Sequence, residues 1–299
     1  MKKHIFLIGN PVAGKGASEK IKRAAELLGG RASVETLLTC RKGDAEEFAL
    51  SIADRFGDDA DIVVVAAGGD GTYNEVANGL IYSGVPMAIL PAGTTSVLAR
   101  ELKLPSGLAE CCELILNGTS SAAHPAIITA AGVERCFLLM AGVGFDAMAV
   151  QGVNEGLKKF VGKGAYIFSG LKTLASSEYC KIKLVAETPA PTEFECYHAV
   201  ICKSSFYGGG FHVAPAARIT EPSLYVFAAH GGSRSDMVRY ISGVLSGRHL
   251  GFHDVSCFAA ASVRIEGESP VQIDGDYFGR LPVDIRIAGS ALNLVTSAN

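Results

Sequence analysis

The first third of the chain alternates short, wholly apolar runs with stretches in which apolar residues return every three or four positions. Ile5-Phe6-Leu7-Ile8, stopping at Asn10-Pro11, predicts a strand buried on both faces. Ile21, Ala24, Ala25 and Leu28 then fall on one helical face. Val34 to Leu38 predicts a second strand. Ala45, Phe48, Ala49, Ile52 and Phe56 predict a second helix, with Asp44 as its N-cap. Ile62-Val63-Val64-Val65-Ala66 is the clearest buried strand, followed by a helix over Asn74–Tyr82, a strand over Met87–Leu90, and a helical stripe of Leu108, Cys111, Cys112, Ile115 and Leu116. Repeated βα units of this kind predict a parallel sheet with flanking helices.

After about residue 124 the period changes to two. Lys181–Leu184, Glu193–Cys196, Ser262–Glu266 and Val283–Ile287 alternate polar with apolar residues, as antiparallel strands with one wet face do. Helical patterns interrupt them at about 156–175 and at Met237, Tyr240, Ile241, Val244 and Leu245. The expected organisation is an α/β N-terminal domain over residues 1–124 and a β-rich, sandwich-like domain over 125–299. A cleft between two such domains is the natural place for a site.

Composition narrows the class. A net charge of −3 gives no general electrostatic case for nucleic acid as partner. The apolar runs are far shorter than the roughly 20 residues that span a bilayer. Met1-Lys2-Lys3 is followed by too short an apolar stretch for a signal peptide. The expectation is a cytoplasmic protein. Eight cysteines, with no CxxC among them, read as free thiols in a reducing compartment, not as a disulfide framework or zinc site. Glycine is the anomaly: 35 residues, gathered in a few polar loops.

Three of those loops follow predicted strands. Gly68-Gly69-Asp70-Gly71-Thr72 opens a helix, so its backbone N–H groups and the helix N-terminus favour an anion. Asp70 would repel a bare phosphate unless a divalent cation bridges the two, which points to metal-bound nucleotide phosphates; the plainer alternative is a tight turn in which Asp70 caps the helix. Asn10-Pro11-Val12-Ala13-Gly14-Lys15-Gly16 occupies the same topological place, with Lys15 able to meet a phosphate, although the full Walker A pattern is absent, since Gly16 stands where it needs Ser or Thr. Pro91-Ala92-Gly93-Thr94-Thr95-Ser96 adds hydroxyls suited to ribose or phosphate. Turns at the carboxyl ends of strands in one α/β domain are expected to converge on one crevice. Asp274-Gly275 in turn favours a type I′ hairpin.

Taken together these segments resemble the diacylglycerol kinase catalytic family, which includes bacterial lipid kinases and the sphingosine and ceramide kinases. The resemblance covers nearly the whole chain. It is carried by Asn10-Pro11 with Gly14-Lys15-Gly16, by Gly68 to Thr72, by Pro91 to Ser96 with Ala99-Arg100, by Gly142-Val143-Gly144-Phe145-Asp146-Ala147, by Gly208 to Phe211 with Ala214-Pro215-Ala216, and by Asp274-Gly275-Asp276. It implies ATP and Mg²⁺ in the N-terminal domain and a lipid alcohol accepted by the second, with peripheral docking at a membrane surface. The resemblance places Asn10, Gly14, Thr39, Gly68, Gly69, Asp70, Gly71, Thr72 and Thr94 around the nucleotide, and Lys15, Gly93 and Thr95 of the same turns are candidates beside them. Asp70 would act through Mg²⁺, and Asp274 or Asp276 would be the general base. Asp146 either helps that base or caps the following segment.

The chain departs from the family pattern at three points. Ser96 stands where the family has Asn, and Asp276 where it has Glu. Glu221-Pro222 stands where many bacterial members have Asp-Gly holding a structural Mg²⁺, which leaves Glu221 as the metal-ligand candidate there. Lys158, Lys159 and Lys163, interleaved with Phe160 and Tyr166, face either anionic headgroups or plain solvent. An NAD kinase-like enzyme, which shares the Gly-Gly-Asp-Gly-Thr run, and a non-catalytic nucleotide- or lipid-binding relative are the alternatives.

Overall fold

A computed structural model describes residues 3–57, 61–94, 96–151, 179–208 and 210–297. The expected helix at 156–175 and the lysine cluster within it lie outside the described residues. The chain forms two compact units, Met1–Pro125 with Ala288–Asn299, and Ala126–Ile287.

The first unit runs β1 (His4–Gly9), α1 (Ala17–Gly29), β2 (Ser33–Leu38), α2 (Asp44–Phe56), β3 (Ile62–Gly68), α3 (Asp70–Leu80), β4 (Met87–Pro91), α4 (Val97–Glu101), α5 (Leu108–Asn117) and β5 (Thr119–Ala123). Strand order is β2-β1-β3-β4, then the chain's final strand, then β5. The β1–β4 pairings are parallel, as the uninterrupted burial of Ile5–Ile8 and Ile62–Gly68 requires. Residues from α1 and α5 (Ile21, Ala24, Leu28, Cys111, Cys112, Ile115) share one core with Ile5, Leu7, Val63 and Val65 of the sheet.

The second unit runs β6 (Ala126–Ala130), β7 (Val133–Phe137), β8 (Met140–Val143), α6 (Phe145–Gln151), β9 (Ile182–Glu187), β10 (Thr192–Cys196), β11 (His198–Cys202), β12 (Phe206–Tyr207), β13 (Phe211–His212), β14 (Leu224–Ala229), α7 (Arg234–Ser246), β15 (Val255–Ala260), β16 (Ser262–Gly267), β17 (Pro270–Ile273), β18 (Asp276–Arg280) and β19 (Val283–Ile287). Two six-stranded antiparallel sheets, β10-β9-β16-β19-β6-β7 and β15-β14-β11-β8-β17-β18, enclose one core. Ile182, Leu184 and Ala186 reach it from one sheet, Val226, Ala228 and Ile201 from the other. The four period-two segments read from the sequence all lie in the first of these sheets, where alternate residues are wet.

The end of the chain departs from the expected division at residues 124 and 125. β20 (Leu292–Thr296) leaves the sandwich and enters the first sheet, parallel to β4 and antiparallel to β5. Leu292, Leu294 and Val295 are buried there. A five-residue apolar strand carries no mark of its partner, because pairing is decided by topology, not by separation along the chain.

All eight cysteines are free thiols, five of them buried. Among the described residues no helix is long and apolar enough to cross a membrane. Ending the chain after Ile287 removes an interior strand from the first sheet. Hydrogen-exchange mass spectrometry of that truncation is expected to show lost protection in β4 and β5 while β8, β11 and β14 keep theirs; unchanged protection in β4 would show that β20 is dispensable.

Candidate active site

The three glycine turns of the first unit meet backbone to backbone. Gly68 O accepts from both Ala92 N (2.8 Å) and Gly93 N (2.7 Å), so the turn after β3 is bonded to the turn after β4. A Cβ on Gly93 would lie 2.8 Å from Gly69 Cα, and one on Gly14 would lie 3.1 Å from Thr94 N and 3.2 Å from Ala92 O. Only glycine permits so close an approach at Gly93. The turn after β1 thereby joins the other two. Asn10 N donates to Ala67 O (2.9 Å) and Thr39 N to Gly9 O (2.9 Å), which brings Thr39, at the end of β2, beside the first turn.

Asp70 fastens this cluster. Its carboxylate accepts from Val97 N (2.9 Å) and Leu98 N (3.0 Å), the opening N–H groups of α4, which otherwise have no helical partner. The alternative in which Asp70 caps its own helix is not what occurs: Gly69 holds the cap position of α3, without a side-chain bond. Tyr73, fully buried, donates from its hydroxyl to Gly68 O (2.8 Å) and accepts from Ser96 Oγ (3.3 Å), while Ser96 Oγ also caps α4 by accepting from Ala99 N (3.3 Å). Burial pushes the Tyr73 phenol well above its ordinary value, so it stays a neutral donor. A serine therefore completes the third turn where the family pattern has an amide. The expected cap at Asp44 is replaced in the same way: Gly43 holds the cap position, and the Asp44 carboxylate turns back to Cys40 N (2.7 Å) and Arg41 N (2.9 Å).

In the second unit, Asp274 and Gly275 have φ of +50° and +88° and join β17 to β18 in a two-residue turn, with Ile273 paired to Asp276. This is the I′-type hairpin that Asp-Gly favours. The Asp274 carboxylate accepts from Leu138 N (2.8 Å), Leu139 N (2.8 Å) and Met140 N (3.0 Å), locking the hairpin to the start of β8. Asp276, the first residue of β18, is half-buried.

Asp146 lies beside that hairpin. Its two oxygens meet Tyr207 Oη and Gln272 Nε2 (2.6 Å to the latter), and Gln272 Oε1 accepts from Gly275 N (2.8 Å). A polar chain thus leads from Tyr207 through Asp146 and Gln272 into the turn that carries Asp276. A Cβ on Gly142 would fall 1.8 Å from Asp146 Oδ2, so the carboxylate is seated flat on β8. The first amides around α6 are taken by others: Gly144 N donates to Ser269 Oγ (3.1 Å) and Phe145 N to His198 Nδ1 (3.1 Å). Burial holds His198 down at about 4, so it accepts as a neutral ring.

Residues 4–127 match the family model of the diacylglycerol kinase catalytic domain, and residues 140–296 match the YegS C-terminal NAD kinase beta sandwich-like domain. The chain belongs to the diacylglycerol kinase catalytic-domain family. It is 26% identical over 294 residues to a protein named diacylglycerol kinase from Mycobacterium tuberculosis strain H37Rv, covering 97% of this chain and 94% of that one. It is 26% identical over 289 residues to the diacylglycerol kinase of Bacillus subtilis strain 168, with 94% and 92% covered. A solved structure from Bacillus anthracis str. Sterne shares the fold with a TM-score of 0.78 at 22% identity, covering 99% of this chain and 95% of that one.

Within this diacylglycerol kinase-family chain, Asn10, Gly14, Thr39, Gly68, Gly69, Asp70, Gly93 and Thr94 come together as described. Gly71 and Thr72 follow in the first turn of α3, and Lys15 is exposed on the turn after β1. Thr95 lies outside the described residues. Glu221 does not fit the metal-ligand expectation: the residue is exposed, its main-chain carbonyl is bonded to Lys203 Nζ, and among the described residues no group of three or more acidic, histidine or cysteine side chains could hold a metal ion. Sequence reasoning missed Tyr73, Gln272 and Lys203. For Gln272 and Lys203 the available signal was a polar residue inside or just past an apolar run, as in Pro270-Val271-Gln272-Ile273.

Two measurements check these roles. Asp70→Asn leaves one amide hydrogen facing another, so urea unfolding is expected to show a loss of about 1–3 kcal/mol; stability equal to wild type would remove the clamp. Desolvation pushes Asp146 up to about 6 from its ordinary 3.8, against the pull of the Gln272 N–H. The folded state then keeps a proton that the unfolded chain releases, so this group's contribution to stability falls as pH rises from about 4 and is fully lost above about 6. Asp146→Asn should gain stability relative to wild type steadily across that window in urea titrations, and a pH-independent difference would contradict the shift.

Proposed function

We propose that the protein is an ATP- and Mg²⁺-dependent lipid kinase that transfers the γ-phosphate of ATP to a lipid hydroxyl such as that of diacylglycerol. The observation that carries this reading is the meeting of three glycine turns at the carboxyl ends of β1, β3 and β4, where α3 begins. Amides gathered at such a place suit a polyphosphate. The absence of any contact within 4 Å of a Cβ on Gly71 supports room for it at the start of α3. Membership of the family and relatives named diacylglycerol kinase support the acceptor being a lipid alcohol.

In this reading Asn10, Gly14, Lys15, Thr39, the Gly68–Thr72 run and Thr94 hold the nucleotide, and Asp70 keeps the third turn in place beside it. A divalent cation arriving with ATP supplies charge compensation between the phosphates and Asp70. The general base is Asp276. Asp274 is committed to three amides of the 138–140 segment, an arrangement that stabilises its charge and makes it a poor proton acceptor. The lipid oxygen bonds to the γ-phosphorus as its proton passes to the Asp276 carboxylate, and ADP leaves. Access to the lipid is by peripheral contact with a membrane surface.

Incubation with labelled ATP, Mg²⁺ and vesicles carrying diacylglycerol, a sphingoid base or a phospholipid with a headgroup hydroxyl is expected to label one lipid. Asp276→Asn should lower turnover by about 10²–10⁴ with unchanged melting. Full turnover in that variant would remove Asp276 as the base. Formation of NADP from NAD in place of any lipid product, or nucleotide binding without turnover, would overturn the lipid kinase reading itself.

A further inference from the structure

Lys203 follows β11 directly and is fully buried, although lysine is among the residues most reluctant to enter a protein interior. Its ammonium donates to three main-chain carbonyls of one loop: Glu221 O (2.5 Å), Ser223 O (2.9 Å) and Arg218 O (3.4 Å). We propose that the Lys203 ammonium is the resident cation of the 218–223 loop and takes the place there that a divalent metal was expected to fill.

The chemistry of the cage favours an ammonium. Carbonyl oxygens that converge on one point repel each other unless a positive centre sits among them, and an ammonium brings three N–H donors to match three carbonyls. The oxygens stand 2.5–3.4 Å from the nitrogen, a cage wider than the 2.0–2.1 Å shell that Mg²⁺ demands. Glu221 takes part through its main-chain carbonyl, and the residue itself is exposed. Arg218 serves neighbouring oxygens from outside, donating to Pro215 O and Ala217 O at 2.6 Å each.

Lys203 also ties the loop to the hairpin that carries Asp276. Its backbone N–H donates to Leu139 O (2.8 Å), and Leu139 N donates to the Asp274 carboxylate (2.8 Å). A cation held by the chain makes its binding to the loop intramolecular, so loop order no longer depends on metal concentration.

Thermal melting of the full chain, without nucleotide or lipid, tests this independently of the catalytic reading. The wild-type midpoint is expected to be the same in EDTA and in millimolar MgCl₂. Lys203→Met, which keeps the aliphatic stem and removes the charge, should melt about 10 °C lower in both. A wild-type midpoint that falls in EDTA and recovers with Mg²⁺ would overturn the proposal, as would a Lys203→Met midpoint equal to wild type. Should that variant fail to fold, the wild-type comparison decides alone, because a loop held by metal melts lower in chelator whatever the variant does.

Discussion

A tight turn packed against another turn has main-chain N–H and C=O groups that no sheet or helix satisfies, and burying them unpaired is costly. This constraint shapes the turns after β2 and β3 and the Asp274-Gly275 hairpin. Asp70 takes up the opening amides of α4, Asp44 those of the turn after β2, and Asp274 those that lead into β8. Lys203 does the converse, taking up carbonyls with an ammonium. Charged side chains here work first as partners of the backbone.

The chemistry follows from which charges are committed in this way. Of the two acids in the Asp-Gly-Asp hairpin, one anchors the turn and the other begins the strand that leaves it. The anchor defines the position of its neighbour, and the Gln272–Asp146–Tyr207 chain braces the same turn through Gly275 N. A side chain on so short a hairpin gains its precision from second partners, not from its own length. In the first unit the bracing is done by Tyr73 and Ser96, whose hydroxyls bridge the turns after β3 and β4.

Departures from the family pattern become intelligible on the same terms. Ser96 is shorter than an amide, yet it caps α4 and reaches the Tyr73 hydroxyl. In the Glu221-Pro222 loop a lysine from the neighbouring strand end donates to the main-chain carbonyls.

Much of the architecture was legible in the chain itself, because burial on two faces or on one leaves a period that composition cannot hide. Ile5–Ile8 and Ile62–Ala66 read as parallel strands and are, and Ser262–Glu266 and Val283–Ile287 read as half-wet antiparallel strands and are. The glycine turns announced their meeting, since only residues without a Cβ allow it. What the sequence could not carry were the partnerships across long separations. That Asp274 serves amides at 138–140, that Lys203 fills a loop fifteen to twenty residues away, and that β20 crosses back to the first sheet are decided by tertiary contacts alone. A carboxylate or an ammonium advertises its charge in the sequence, but which backbone groups it will neutralise depends on where the fold leaves them unpaired.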